Sequence, residues 1–581
     1  MAARITTYVV VGIVAATLIA GLIVGAQRDD NDGPVDLIIH NAKVFTANGR
    51  NDIAEAVAIR GNQILRVGSD REINRLRKPQ TQVIDAKGGT VLPGFNDAHV
   101  RFITGGLALD RIDLADAADA GEVQRRIREW AEANPDRPWV LGGGWTYQAF
   151  EGLPTRQLLD AIVRDRPAQL VSRDGHVAWV NSAALKLARI TRRTPNPENG
   201  TIVRDARTGE PTGVLKDAAI ALVSRHVPAA SAEERARALR SAVTEAHKNG
   251  ITSVQHLADA SDDLDTFEEA RRSGDLQVRV YAAIPVDRMP SDADLDRLDQ
   301  LAAKYPDDPL FKSGAVHVTV DGIVEVNSAA LLEPYANEPG NGSTRWTPDD
   351  FNRLVRMLDA RGWQIVADAS GDRAVQIALT AFEHAVRSNP APARGRRHRV
   401  ERVEIAADED LPRFGALGVI ASMQPGRGMP GDALALWTHN LGDRASHGWP
   451  YHAIARAHGR LAFGSDWPAA SLSPLTGVHV AVNRTTPDGL PEGGWQVEDA
   501  LTLDAALDAY TSGAAWASFD EQRKGTIAAG MLADLVVLGG DIFRAPSDRL
   551  ASTTVNLTIF DGKIVYSRAA QRSLTDAPLT P

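Results

Sequence analysis

Two hydrophobic rhythms alternate along the middle of the chain. Short apolar runs of strand length are separated by longer stretches with helical periodicity, such as AEERARALRSAVTEAHKNG and PDDFNRLVRMLDARGW. The runs VLPGFNDAHVRF, ITSVQHLAD, VRVYAAIP, AVHVTVDG, WQIVADASGD, RVERVEIA, GVIASMQP and LAFGSDWP are nearly continuous in apolar residues, as strands covered on both faces must be. There are eight. The alternation predicts an α/β fold, a (β/α)8 TIM barrel, with polar residues at the C-terminal strand ends where such barrels carry their chemistry. From about 104 to 249 the chain is longer than one crossover requires, so this stretch reads as an insertion over the barrel mouth.

At both ends the rhythm changes. DLIIHNAKVFT, AEAVAIRGNQILRVG and TQVIDAKGGTVLPGF are short strand-like runs broken by turn residues, and the style returns in GTIAAGMLADLVVLGG and TTVNLTIFDGKIVYSR. Asp561-Gly562 between apolar runs is a hairpin signal. The two ends predict one small β-sandwich, residues 35–92 and 520–572, around a barrel of residues 93–519, with a tail at 573–581.

From Ile5 to Ala26 there is no charged residue. At ~1.5 Å per residue a helix of that length crosses a ~30 Å hydrocarbon core. Arg4 precedes it, whereas Arg28, Asp29, Asp30 and Asp32 follow, so the basic excess predicts a single-pass membrane anchor with a cytoplasmic N-terminus and an extracytoplasmic body. A signal peptide cleaved near Val24-Gly25-Ala26, giving a secreted protein, is the alternative. Residues 1–34 are therefore anchor and linker.

Composition narrows the chemistry. The 581 residues include 14 His and no Cys, so a disulfide framework, a thiolate nucleophile and a Cys-ligated metal are all excluded. The net charge of −10 gives no reason to expect nucleic acid. A metal site would have to be built from His and carboxylates.

PGFNDAHVRF, GHVAWVNSAAL, GEPTGVLKDAA, DGIVEVNSAALLEPYA, SGDRAV, RHRVE, FGSDWP, the ALDAYTSGAA helix and GTIAAGMLADLVVL together resemble the amidohydrolase superfamily, specifically its family 3 type. The resemblance covers nearly all of the chain after residue 35. It implies a metal-dependent hydrolase of non-peptide C–N bonds, with metals held by His-x-His on strand one, Lys on strand four, His on strands five and six, and Asp on strand eight. Carried over residue by residue, only His99 and Asp466 match. Arg101 stands for the second His, His317 for the Lys, Asp368 for the strand-five His and Arg402 for the strand-six His.

Arginine stays protonated and offers no lone pair, so Arg101 and Arg402 cannot be ligands and bring positive charge to the metal's place. Neighbouring strands would let Asp368 face Arg402 and Asp466 face Arg101, replacing the metal centre by two ion pairs. No cofactor is expected on this reading. If the site is remodelled instead, His99, His317, Asp368 and Asp466 are the candidate ligands for zinc or manganese.

Arg101 and Arg402 are also candidates for binding a small anionic or amide-like ligand, with His176 and Trp145 of the insertion as further lining residues. Tyr147 and His256 are weaker candidates, Lys216 reads as solvated, and Asp372-Arg373 reads as a pair at a helix start. Two functions stay open. One is a membrane-anchored amidohydrolase-like protein that has lost its binuclear site and binds a small molecule or a partner. The other is an active hydrolase of amides, carbamates or cyclic ureas with a mononuclear or metal-free site, using Asp466 and His99, in the metal-free case with Arg101 at the oxyanion.

Overall fold

The computed structural model describes residues 34–570 except 51, 151, 173–174, 199, 260 and 429–430, and for 431–433 the backbone alone. The apolar stretch Ile5–Ala26 lies outside the described residues. Among those residues no helix is long and apolar enough to cross a membrane.

Eight parallel strands, β1 (Phe95–Val100), β2 (Ile251–Leu257), β3 (Arg279–Pro285), β4 (Phe311–Thr319), β5 (Gln364–Ala369), β6 (Arg399–Arg402), β7 (Ile420–Met423) and β8 (Arg460–Phe463), pair in chain order. They coincide with the eight apolar runs of the sequence. β1, β2 and β5 are buried along their whole length, which is why they show no polar alternation.

β8 lies against β1 and closes the ring at its C-terminal rim. Asp466 N donates to His99 O (2.8 Å) and Arg101 N to Trp467 O (3.0 Å). The Asp97 carboxylate adds a side-chain clasp, accepting from Ser465 N (2.9 Å) and Ser465 Oγ (2.5 Å). Gly464 permits this approach, since a Cβ there would lie 2.3 Å from His99 N and 2.7 Å from His99 Cβ.

Between β1 and β2 run helices α1 (Phe102–Leu109) and α2 (Ala232–Lys248), which pack on each other. A capping box between Ser231 and Glu234 starts α2, and Leu239, Ala242, Val243 and Ala246 form its buried stripe. The inserted unit is thus narrower than the sequence suggests. Its six-stranded sheet runs from Ile112 to Asp217, and α2 serves as the helix of the first crossover.

The chain ends interleave. In a six-stranded sheet Thr90–Pro93 pairs antiparallel with Leu535–Leu538, and a four-stranded sheet of Leu37–Asp85 lies beside it. Asp561 and Gly562, both at positive φ, turn the hairpin between Val555–Phe560 and Lys563–Ser567. Buried Arg279 of β3 ties this unit to the barrel through Asp534 (2.5 and 2.9 Å) and Asp561 (2.9 Å).

Gly464→Ala is expected to lower stability by about 1–3 kcal/mol or more, as overpacking in a closed contact does. Thermal unfolding followed by circular dichroism should show the loss, whereas Gly540→Ala, with open space around its Cβ and no positive φ, should cost less than that.

Candidate functional site

Strand pleating sets the inner wall of the site. Asp97 and His99 on β1, and Arg399 and Glu401 on β6, occupy alternate positions and face the barrel interior. His99 Nδ1 is 2.8 Å from Glu401 Oε2, and His99 Nε2 is 3.3 Å from Asp466 Oδ1 without hydrogen-bond alignment. Burial alone would lower the His99 pKa, but Asp466 and Glu401 outweigh it and push the imidazole up to about 9. The other oxygen of Glu401 holds Arg399 (2.8 Å), which also donates to Ala98 O (2.5 Å) and Ser422 Oγ (3.0 Å).

Pleating would turn Arg402 away from this wall. Instead Arg402 (φ +69°) and Val403 (φ +46°) are both left-handed, as is Asp466 (φ +58°) on the facing rim. Such conformations in non-glycine residues cost on the order of 1–3 kcal/mol each and mark places where the surroundings impose the backbone. The twist delivers the Arg402 guanidinium to the axis. Its Nε lies 2.6 Å from Asp368 Oδ1 and its Nη2 3.4 Å from Asp466 Oδ2. Arg427, in the turn after β7, meets the same Asp466 oxygen at 2.9 Å. Burial would raise both aspartate pKa values, yet Arg402, aided by His317 and His99 at Asp368 and by His99 and Arg427 at Asp466, holds both well below the carboxylate range. His317 Nε2 stands 3.6 Å from Asp368 Oδ2.

Arg101 does not join them. β1 ends at Val100, so strand alternation stops before Arg101, and its side chain turns out to pair with Asp259 beside Thr104, about one third exposed. The expected Arg101–Asp466 contact is therefore replaced by Arg427 and Arg402. Trp145 lies fully buried in the insertion, donating to Leu170 O (3.0 Å) and packed edge-on against Tyr147 and Phe150, so it does not line the mouth. His176 is half exposed on the same insertion and bonds Asp217 (2.9 Å). His256 is a buried structural residue that accepts from Phe102 N (3.0 Å) and meets Asp263 at 3.2 Å. Asp372 accepts from Leu332 N (2.9 Å) at the start of its helix.

Glu401, Arg399, Arg427 and Glu404 were not singled out in the sequence. Three charges within the four-residue strand RVER are a signal for the first two, because a buried strand tolerates charge only when it is paired. Arg427 lies in a turn and carries no such signal.

A tetrahedral metal site needs three or four free lone pairs converging at ~2.0–2.3 Å. Here a guanidinium stands between Asp368 and Asp466, and His99 sits between two carboxylates. Among the described residues no three His, Asp or Glu side chains are disposed to hold a metal ion. The donor set does not fit one.

Arg402→Met would leave two buried aspartates short of their counter-charge, with an expected loss of roughly 3–5 kcal/mol at pH 7–8. Both carboxyls sit below their ordinary value of 3.8, so the pairing contributes stability above that pH and loses it as pH falls. Urea unfolding at pH 8 and at about pH 2.5, below the ordinary carboxyl value, should therefore show the gap between wild type and variant shrinking on acidification. For His99 the sign is opposite. Its contribution is complete below 6.5 and disappears as pH rises through about 9, so nitrogen NMR at pH 7.5 should find this ring doubly protonated.

Residues 82–566 match the model of the Amidohydrolase family, Amidohydro_3. The chain is 31% identical to the protein LONG AFTER FAR-RED 3 of Arabidopsis thaliana over 91% of each chain. It is 29% identical to the N-substituted formamide deformylase of Arthrobacter pascens, over 92% of this chain and 98% of that one. A crystal structure of an uncharacterised metal-dependent hydrolase from Pyrococcus furiosus superposes with a TM-score of 0.71 at 23% identity, covering 87% of this chain and 99% of that one, which shows a shared fold. An eight-stranded barrel with its polar cluster at the C-terminal rim, and a family match spanning both the barrel and its flanking sheets, establish that this chain belongs to the amidohydrolase family.

Proposed function

We propose that this amidohydrolase-family chain works without the family's metal centre, as a membrane-tethered protein that binds a small amide-like molecule at the barrel mouth. One observation carries the reading. The Arg402 guanidinium lies between Asp368 and Asp466, at 2.6 and 3.4 Å, where a bridging cation would otherwise be needed to neutralise them. Arg427 adds a second fixed charge to the same aspartate. For two unit charges ~4 Å apart at an effective dielectric near 20, repulsion is about 4 kcal/mol, so a dication would enter against a steep gradient.

The ligand class follows from charge balance. Both arginines already have carboxylate partners, which disfavours an anionic ligand and favours a neutral polar one. The related deformylase takes N-substituted formamides by its name, and that chemical class suits a neutral site. The uncharged stretch Ile5–Ala26 supports tethering, with the folded body on the extracytoplasmic side.

A second reading has one observation in its favour. His99, held between Glu401 and Asp466, is an imidazole with a carboxylate on each nitrogen, an arrangement able to hold and pass a proton in metal-free C–N hydrolysis.

Elemental analysis of the full chain, purified in detergent and then exposed to zinc or manganese, is expected to find well under one equivalent of metal. Near-stoichiometric metal that is lost in Asp466→Ala would refute the reading. Hydrolysis of a formamide that persists in chelator and vanishes in His99→Gln would establish the second reading instead.

A further inference from the structure

The inserted unit carries a surface whose charge opposes that of the chain as a whole. The net charge of the 581 residues is −10, yet Lys186, Arg189, Arg192 and Arg193 crowd into one short stretch, and residues 182–197 contain no acid. All four side chains are exposed, and among the described residues none of them has an ion-pair or side-chain hydrogen-bond partner. Other arginines of the same unit are paired, Arg125 and Arg126 with Glu122 and Arg137 with Glu234. Unpaired cations gathered on one surface are the footprint of an anionic partner.

The backbone beneath these charges is held in place. In the helix Ser182–Leu187 the buried residues are Ala184 and Leu185, which turns Lys186 and Leu187 outward. Asp160 clasps this helix to the helix Arg156–Asp160, accepting from Ser182 N (2.8 Å) and Ser182 Oγ (2.6 Å), so its charge is engaged within the unit. A shallow depression with Gln157, Ala161, Arg164, Ser182, Ala183 and Lys186 along it makes the two helices one surface. Beyond it, Thr194 Oγ1 accepts from Thr191 N (2.9 Å) and closes the turn that carries Arg192 and Arg193. Arg164 is a further exposed cation, with exposed Asp165 beside it in sequence.

Large apolar side chains stand among the charges. Leu187 is 47% exposed and Leu158, next to Gln157 in sequence, is 37% exposed. We propose that this face of the inserted unit rests on the headgroups of an anionic lipid bilayer, with Leu158 and Leu187 entering the headgroup boundary. The mixture of residues selects the partner. An acidic polypeptide or a polynucleotide would match the cations but leave the leucines in water, whereas the bilayer interface offers negative charge and apolar surroundings within one layer. Each Lys or Arg beside an anionic leaflet strengthens such contact about fivefold. The inference goes beyond the ligand-binding reading above and uses its membrane tether to keep this face near the bilayer.

Because the chain has no Cys, Leu187→Cys accepts a single environment-sensitive fluorophore. The full chain would be placed in nanodiscs of phosphatidylglycerol or of phosphatidylcholine, each doped with a nitroxide lipid. In phosphatidylglycerol the label is expected to shift to the blue and to be quenched, and neither signal is expected in phosphatidylcholine. Raising the salt from ~0.1 to ~1 M shortens the Debye length from about 10 to about 3 Å and should remove both signals. Val386→Cys, at a residue 42% exposed on the helix after β5 and so across the ring from the insertion, is the control expected to stay silent. Arg192→Gln with Arg193→Gln, checked for folding by circular dichroism, should weaken the contact about 25-fold, two charges at about fivefold each. An unshifted label in phosphatidylglycerol, equal quenching in the two lipids, quenching undiminished in the arginine variant, or the same shift produced by polyglutamate in place of lipid would each overturn the proposal. A chain that stays in the discs with its Leu187 label in water sinks this inference alone, whereas a chain that does not stay in them removes the tether and this inference with it.

Discussion

The Arg402 guanidinium, suspended between Asp368 of β5 and Asp466 of the β8 rim, is the contact on which the site depends. It neutralises two buried aspartates at once, and both stay ionised because it is there. Without a permanent cation at this point, burial would drive those carboxyls toward protonation. Because the cation is a side chain, its charge cannot dissociate or exchange, and its planar fork demands oxygens in fixed directions. That requirement passes outward to Arg427 and His99, which both meet Asp466, and through His99 to Glu401.

Holding the guanidinium on the axis requires an unusual backbone. A regular strand would aim Arg402 at the surrounding helices, so the chain breaks the pleat with two left-handed residues and brings β6 to an end there. Across the barrel Asp466 is left-handed as well, immediately after the Gly464 contact that seats β8 against β1. Closure of the ring and placement of the charges are thus one structural problem. The backbone bonds that join β8 to β1 involve His99, Arg101, Asp466 and Trp467, and two of these four belong to the axial cluster.

The axial charges also divide into a satisfied and an unsatisfied part. Deep in the barrel Arg399 and Glu401 are hydrogen-bonded, and His99 is bonded through Nδ1 while its Nε2 faces Asp466 at 3.3 Å without a hydrogen bond. Toward the mouth, Glu404 and the outer nitrogens of Arg402 and Arg427 have no hydrogen-bond partner among the described residues.

Much of this was legible in the amino-acid order. Eight continuous apolar runs specify eight buried parallel strands, since only burial on both faces removes the polar alternation. The substitutions Arg402 and Asp368 announce paired charge, because a guanidinium cannot ligate a metal and a buried aspartate needs a partner. The order paired Asp368 with Arg402, a contact the structure has, but not Arg101 with its actual partner. Arg101 was read by strand alternation into the axis, but the strand stops one residue earlier and releases it to Asp259. Arg427 and Glu404 lie in loops whose course is set by the strands around them, so no periodicity marks them. The sequence by itself determined the fold, because burial of the strands is written in the local period, and the family resemblance implied a departure at four of six ligand positions. Only the tertiary structure decided the partners of Arg101, Arg427 and Asp466, because these contacts join strand ends and loops remote in sequence, where backbone conformation redirects a side chain.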